Sequence, residues 1–318
     1  MPRVNDPIHL EHELTEYALG QAHPLVHTWL GDQLRQDLQK STSLMIALIT
    51  DDEAARSFSE TMSVLGLPPE PFKAQLLEID DHRFLAQIHF TDRSGKLPYV
   101  EVYRASTPLG AIDAPGVLRK LSDHFDVFLP RRIRFFHSAH LPLRTPSTWV
   151  DQHFLAARAQ GIAARAISPG FERIVLRRPQ NLDFYPRYVE AYEQMFAARP
   201  QLRGQVRIEP EKSLANCLEQ GLLYEIHVDG DWAGIVAASR ETIAGVTGCY
   251  MNEIVLQGAA RGRGLGSAVH QHFAKAVAAE NPSSVITGMI ASVNVPSLKT
   301  AMGAGRIEIG AWRWWEVT

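Results

Sequence analysis

The sequence predicts a mixed α+β protein of two domains, on three observations. Its 318 residues exceed the usual size of a single core. Stretches with apolar residues at helical spacing are interleaved with extended apolar runs. Near the middle, Gly161 to Gly170 closes with the breaker triplet Ser168-Pro169-Gly170, which reads as a linker. The domains are drawn at 1–165 and 170–318.

In the first domain, two helices are expected at Ile8 to Leu19 and Leu25 to Gln39, followed by an apolar run at Leu44 to Ile49. A helix over Asp52 to Leu65 follows, opened by Asp51 or Asp52 as its cap. Phe72 to Ile79, Phe84 to Phe90 and Tyr99 to Arg104 read as strands. Val117 to Phe125 reads as a helix, Ile133 to Phe136 as extended chain, and Trp149 to Ala159 as a helix.

The second domain is more sharply punctuated. Glu172 to Arg177 is a strand broken by Pro179-Gln180-Asn181. Asp183 to Ala198 is a helix with Tyr188, Ala191, Tyr192 and Met195 on one face, and Arg207 to Glu219 is a second helix. Leu222 to Val228, Asp229-Gly230 and Trp232 to Ser239 spell a hairpin, because Asp-Gly tolerates the positive φ of a tight turn. Tyr250 to Leu256 is the next strand.

The most informative stretch follows that strand: Gln257-Gly258-Ala259-Ala260-Arg261-Gly262-Arg263-Gly264-Leu265-Gly266-Ser267. It leads into a helix on which Leu265, Val269, Phe273 and Val277 share a face. A Gly- and Arg-rich loop at a helix start places unpaired N–H groups and the positive end of the helix dipole together, which suits a phosphate. Gly264 and Gly266 are expected to let a pyrophosphate approach the amides. A dinucleotide fingerprint and a P-loop both fail, since the glycines at 262, 264 and 266 alternate and Ser267 follows Gly rather than Lys. After a further strand, Val285 to Ile290, comes Asn294-Val295-Pro296-Ser297-Leu298-Lys299-Thr300-Ala301-Met302-Gly303-Ala304-Gly305, then a terminal run ending in Trp312, Trp314 and Trp315.

These two clusters resemble the GNAT acyltransferase superfamily over roughly Phe171 to Thr318. The family's Arg/Gln-x-x-Gly-x-Gly/Ala loop is matched by Arg261, Gly264 and Gly266. Its Asn-x-x-Ser/Ala-x-x-x-Tyr-x-x-x-Gly motif is matched by Asn294, Ser297 and Gly305, with Ala301 at the Tyr position. The resemblance implies a GNAT fold in the second domain. It implies acetyl-coenzyme A, or another acyl-coenzyme A, as cosubstrate, bound at Ile254, Val255, Leu256, Arg261, Gly262, Arg263, Gly264, Leu265, Gly266, Ser267, Asn294 and Ser297, without a metal. The first domain echoes the element order and is read as a degenerate GNAT-like repeat or as an unrelated α+β domain. At the place of the cradle it has Ser106 to Gly116, without the motif and with Pro108 and Pro115 removing amide donors.

The implied activity is N-acetyltransfer to a primary amine, of a small molecule or a peptide, by direct transfer in a ternary complex. Glu253, three residues before the end of its strand, is the candidate base, with a surface ion pair as the alternative. Asn294 and Ser297 are the other catalytic candidates, with helix capping the alternative for Asn294. Ala301 cannot give a proton to the leaving thiolate, so another residue, a water or direct departure as thiolate must serve; Tyr250, Ser292 and Ser297 are candidate donors, each read first as a structural residue. His137, His140, His270 and His272 read as packing or surface residues, Cys217 and Cys249 as core, and the three tryptophans as sheet packing rather than ligand stacking.

A net charge of -3 argues against general nucleic-acid or membrane binding, and two cysteines against a disulfide framework. With no spanning-length apolar run and no apolar core in Met1 to Asp6, a cytoplasmic protein is expected. Two other readings stay open. One is a transfer-RNA-dependent aminoacyl transferase of tandem GNAT type, for which the basic-aromatic stretch Pro130 to Phe136 would have a use. The other is a noncatalytic acyl-coenzyme A sensor.

Overall fold

The computed structural model describes residues 7–91, 97–112, 115–204 and 206–317. The expectations for Met1 to Asp6, and for Asp113 and Ala114 of the proline-flanked loop, lie outside the described residues.

In chain order the helices are α1 (Pro7–Gln21), α2 (Pro24–Leu30), α3 (Asp32–Thr50), α4 (Asp52–Thr61), α5 (Pro115–Asp123), α6 (Ala159–Ala163), α7 (Tyr185–Ala198), α8 (Glu211–Glu219), α9 (Leu265–Glu280) and α10 (Val295–Gly303). The strands are β1 (Gln75–Ile79), β2 (His82–Phe90), β3 (Pro98–Ala105), β4 (Arg132–Ser138), β5 (Thr148–Arg158), β6 (Ile174–Arg177), β7 (Leu223–Val228), β8 (Asp231–Ile243), β9 (Val246–Leu256), β10 (Val285–Ala291) and β11 (Ile307–Glu316). The α+β class holds.

Two expectations fail locally. Gly31, at φ +54, splits the helix drawn over Leu25 to Gln39, and the apolar run after it continues α3 rather than forming an element of its own. Trp149 to Ala159 is strand β5, not a helix. Phe154, Leu155, Ala156 and Ala157 are all buried, so this strand is covered on both faces. A continuous apolar run carries no period that separates strand from helix, and pairing with β10 from Arg158–Val285 to Gln152–Ala291 decides it.

The compact units differ from the halves 1–165 and 170–318. One comprises Met1–Asp151, Ala244–Val246 and Ile309–Thr318; the other comprises Gln152–Ile243 and Thr247–Glu308. The first unit carries β1, β2 and β3 in antiparallel order, β4 parallel to β3, and the last strand β11 antiparallel to β4. Its core joins Phe72, Phe84, Ile88, Leu118, Phe135 and Trp315.

The second unit follows that plan with one strand more before its parallel step. Strands β6, β7 and β8 are antiparallel, β9 neighbours β8, β10 runs parallel to β9, and β5 closes antiparallel to β10. Asp229 at φ +54 and Gly230 at φ +95 make the turn between β7 and β8, as the dipeptide predicts. One core lies under α9, with Val269, Phe273 and Ile286; another lies under α7 and α8, with Tyr188, Leu214 and Ile235.

Candidate active site

Strand β9 changes face in its middle. Cys249 and Met251 belong to the core under α9, and Ile254 and Leu256 pack against the same core. Between them, Asn252 and Glu253 both reach the α7–α8 side. Asn252 Oδ1 accepts from the Ser239 hydroxyl at 2.7 Å, and Glu253 meets two α7 tyrosines. Two consecutive side chains on one face are the signature of a bulge, which re-aims a side chain without ending the strand.

Glu253 is therefore not a surface ion pair. It is 5 % exposed, and its Oε2 accepts from Tyr188 Oη at 2.6 Å and from Tyr192 Oη at 2.7 Å. Burial pushes its carboxyl up to about 7 against the two phenol bonds that favour the ionised form. Tyr188 Oη also accepts from the Glu209 N–H at 2.8 Å, so the clamp is tied to the segment before α8. Burial and the Glu253 charge push both phenols well above their usual range, so they remain donors.

The parallel ladder of β9 with β10 pairs Cys249 with Ile286 and Tyr250 with Thr287, and stops there. From Met251 to Leu256 the edge of β9 facing β10 lies beyond that ladder; along it the Ile254 N–H is committed to the Glu253 carboxyl and Leu256 O to Arg261. This opening leads to the loop before α9, at the carboxyl ends of two parallel strands, where α/β sheets hold ligands.

At the loop, Gly262 at φ +72 and Gly264 at φ +74 have left-handed backbones, and a Cβ on either would meet nothing within 4 Å. Gly264 is the N-cap of α9 and no side chain caps that end. The free space and the uncapped amides fit a pyrophosphate. Gly266 has a different reason from the one expected: a Cβ there would lie 2.5 Å from Thr300 Cγ2, so this glycine lets α9 pack on α10. Leu265 is buried in the core under α9, and the Ser267 hydroxyl faces the Thr300 carbonyl at 3.4 Å.

Arg261 also departs from expectation. Its Nε donates to Leu256 O at 2.6 Å and its Nη2 to Ala191 O at 2.6 Å, so it fastens the loop to β9 and α7 instead of presenting its charge to solvent. Arg263 stays exposed, 3.8 Å from Asp229.

Asn294 is the N-cap of α10 but its side chain makes no capping bond, which removes the helix-capping alternative. Ser297 lies in the first turn of α10, and Ala301 is fully buried. Cys217 and Cys249 are free and buried, and burial pushes the Cys217 thiol up to about 12. A Cys217→Ala/Cys249→Ser double variant is expected to keep its turnover per folded molecule. Loss of activity with an intact fold would point to a covalent acyl-enzyme. Among the described residues no group of three or more His, Cys, Asp or Glu could hold a metal ion, and no helix is long and apolar enough to cross a membrane.

Tyr188 and Tyr192 escaped the sequence reading as functional residues; they entered it only as part of an apolar helix face. The available signal was two phenols one turn apart on a buried face, since buried tyrosine hydroxyls need partners.

In the first unit, the segment at the place of the cradle is filled at Gly110. The His137 ring fills the space a Cβ on Gly110 would enter, and the Thr145 N–H donates to Gly110 O at 3.1 Å. The basic-aromatic stretch is folded inward only in part, since Arg131 and Arg132 are exposed. Ile133 and Phe135 are core, and Arg134 is held by Glu101 at 3.1 Å and Asp151 at 2.8 Å beside the rings of Trp312 and Trp314.

No family model matches the sequence, and no curated protein matches it. Among solved structures, the chain is similar to a GNAT-family acetyltransferase from Colwellia psychrerythraea, at 13% identity and a TM-score of 0.49, covering 82% of this chain and 97% of that one. It is also similar to a GCN5-related N-acetyltransferase from Sphaerobacter thermophilus, at 15% identity and a TM-score of 0.44, covering 74% and 76%. A third is a tandem GNAT protein from the clavulanic acid biosynthesis pathway, at 12% identity and a TM-score of 0.42, covering 84% and 95%.

Proposed function

We propose that the second unit is a coenzyme A-dependent acyltransferase, an N-acetyltransferase that moves the acyl group directly to a primary amine. The observation that carries this reading is Glu253. A buried carboxyl with its pKa near 7 stands on the strand that borders the opening, and two tyrosines fix its direction. That is the protonation range a general base needs near neutrality. When bound, the cosubstrate would supply an activated acyl carbon on a sulfur leaving group.

The residues divide the work. The uncapped amides of α9, with Gly262 and Gly264, hold the pyrophosphate, and Arg263 adds charge beside it. Backbone groups of Ile254 to Leu256 align the arm and polarise the acyl carbonyl. Glu253 takes the proton of the incoming ammonium, directly or through a water. Asn294 and Ser297, at the start of α10, orient that water or the arm. A cytoplasmic setting goes with this reading, since the two thiols are unpaired.

Thermal-shift titration with acetyl-, succinyl- and longer acyl-coenzymes A, then thiol release with a panel of primary amines, tests it. Gly264→Val forces a β-branched side chain into a left-handed backbone, a strain of about 1–3 kcal/mol, and sets its methyl groups over the helix amides. It should abolish the coenzyme A shift while lowering the ligand-free melting temperature only modestly. An undiminished shift in a folded Gly264→Val protein would move the cofactor elsewhere. Wild-type protein that binds acyl-coenzyme A yet releases no thiol with any amine would be a sensor; transfer RNA copurifying with it would favour the aminoacyl transferase.

A further inference from the structure

The reading above leaves the departing sulfur without a partner, because Ala301 is buried and has no donor. The opening between β9 and β10 runs from the α9 loop at Leu256 back to its closed end at the Tyr250–Thr287 pair. An arm anchored by its pyrophosphate at α9 and laid along β9 would end at the Tyr250 rung, where the Tyr250 phenol is hydrogen-bonded to the β10 backbone at Met289.

The closed end is built by one further residue, Arg306, which is 3 % exposed. Its Nη2 donates to Leu155 O at 3.0 Å and Gly288 O at 3.1 Å, and its Nη1 lies 3.4 Å from Met251 Sδ. Met251 and Gly288 are the residues that would form the next rung of the ladder. Position 288 must be glycine for this, since a Cβ there would sit 2.5 Å from Arg306 Nη2. The guanidinium bonds go to carbonyls and a thioether, none to a carboxylate, and Nε has no partner among the described residues. Burial brings its pKa down to about 10, which leaves it charged at neutral pH. A buried cation with an uncommitted donor is costly unless negative charge comes to meet it.

We propose that Tyr250 Oη donates a hydrogen bond to the departing sulfur and that Arg306 supplies the positive field that stabilises it as a thiolate. The proposal rests on the acyltransferase reading. As the acceptor nitrogen forms the C–N bond, the C–S bond breaks with its electron pair on sulfur. The proton shed by nitrogen goes to Glu253 and on to solvent. Tyr250 keeps its proton: burial, with Glu241 and Glu209 nearby, pushes the phenol up to about 12, against Arg306 and the Met289 N–H, whereas a free thiol ionises near ~8.5. The thiolate collects a proton from water on release. The phenol thus does its work as a hydrogen-bond donor and not as an acid.

Calorimetric affinities for coenzyme A and acetyl-coenzyme A, measured side by side between pH 7 and 9.5, read this directly, since only the former carries an ionisable thiol. In the wild type the affinity ratio should move toward coenzyme A by about tenfold as the thiol ionises, the size of a charge-assisted hydrogen bond. In Tyr250→Phe that pH-dependent gain should shrink to within about twofold, acetyl-coenzyme A affinity should hold, and kcat should fall about 10–100-fold with KM unchanged. Arg306→Lys, which keeps the charge, should retain part of the gain, and Arg306→Met should lose it. A Tyr250→Phe protein with the full gain and wild-type kcat overturns the proposal while leaving the acyltransferase reading intact. Wild-type protein that binds neither ligand overturns both.

Discussion

Replacing Glu253 with Gln is expected to lower kcat about 10²–10⁴-fold, the usual size for a general base, with coenzyme A affinity nearly unchanged. In the wild type, kcat should fall about tenfold for each pH unit below about 7, as the buried carboxyl takes up its proton. The Gln variant should lack that inflection, and its deficit should shrink at high pH, where more of the acceptor is already neutral. The same substitution should stabilise the fold at alkaline pH. Burial raises the folded carboxyl from 4.5 to about 7, so the folded state holds its proton more tightly than the unfolded chain. Stability is therefore full below about 4.5, declines up to about 7 and stays low above it. Gln cannot ionise, and its carbonyl can still accept from Tyr188 and Tyr192. The gap corresponds to about 3 kcal/mol at pH 8.5 and nothing at pH 4. Denaturant melts at the two pH values check the stability, and a steady-state pH profile checks the chemistry. A variant with full activity, or one less stable at pH 8.5 than at pH 4 by the wild-type margin, would remove Glu253 from the base role.

How much of this was legible in the sequence depends on what each feature needs in order to be seen. The β7–β8 hairpin and the α9 loop are written locally, in Asp229-Gly230 and in glycines at fixed offsets, so they could be read directly. Glu253 could be named from its place before Leu256, but its burial could not. That comes from two α7 tyrosines more than sixty residues earlier, and from a bulge that turns Asn252 and Glu253 to one face. Strand β5 was hidden because Phe154 to Ala157 is apolar without a period. The exchange that gives β5 to the second unit and β11 to the first is a matter of pairing partners, which local patterning does not encode. Gly266 shows the limit from the other side: the motif position was recognised, and the physical reason turned out to be packing against Thr300.

Arg261 is the residue for which sequence and geometry make opposite predictions. As a pyrophosphate ligand, its truncation would weaken coenzyme A binding and leave the ligand-free protein as stable as before. The structure instead commits its guanidinium to Leu256 O and Ala191 O, both at 2.6 Å, and burial lowers its pKa, as expected for a side chain turned inward. Hydrogen bonds from a charged donor are worth about 1.5–3 kcal/mol each. Partial exposure lets water reclaim some of that, so Arg261→Ala should cost the ligand-free protein about 2–4 kcal/mol. That is a large share of the stability of a domain. Arg261→Lys should recover little, because one ammonium on a flexible stem does not reproduce a planar fork bonded to two separate carbonyls. Coenzyme A affinity should fall in both variants, as the loop from Gly258 to Gly264 loses its tie to β9 and α7. If the loss is indirect, its salt dependence should match that of the wild type, whereas a removed phosphate contact would flatten it. Denaturant melts of the apo variants, paired with calorimetry at two ionic strengths, separate the cases. Wild-type apo stability with a flattened salt dependence in Arg261→Ala would return this residue to the pyrophosphate.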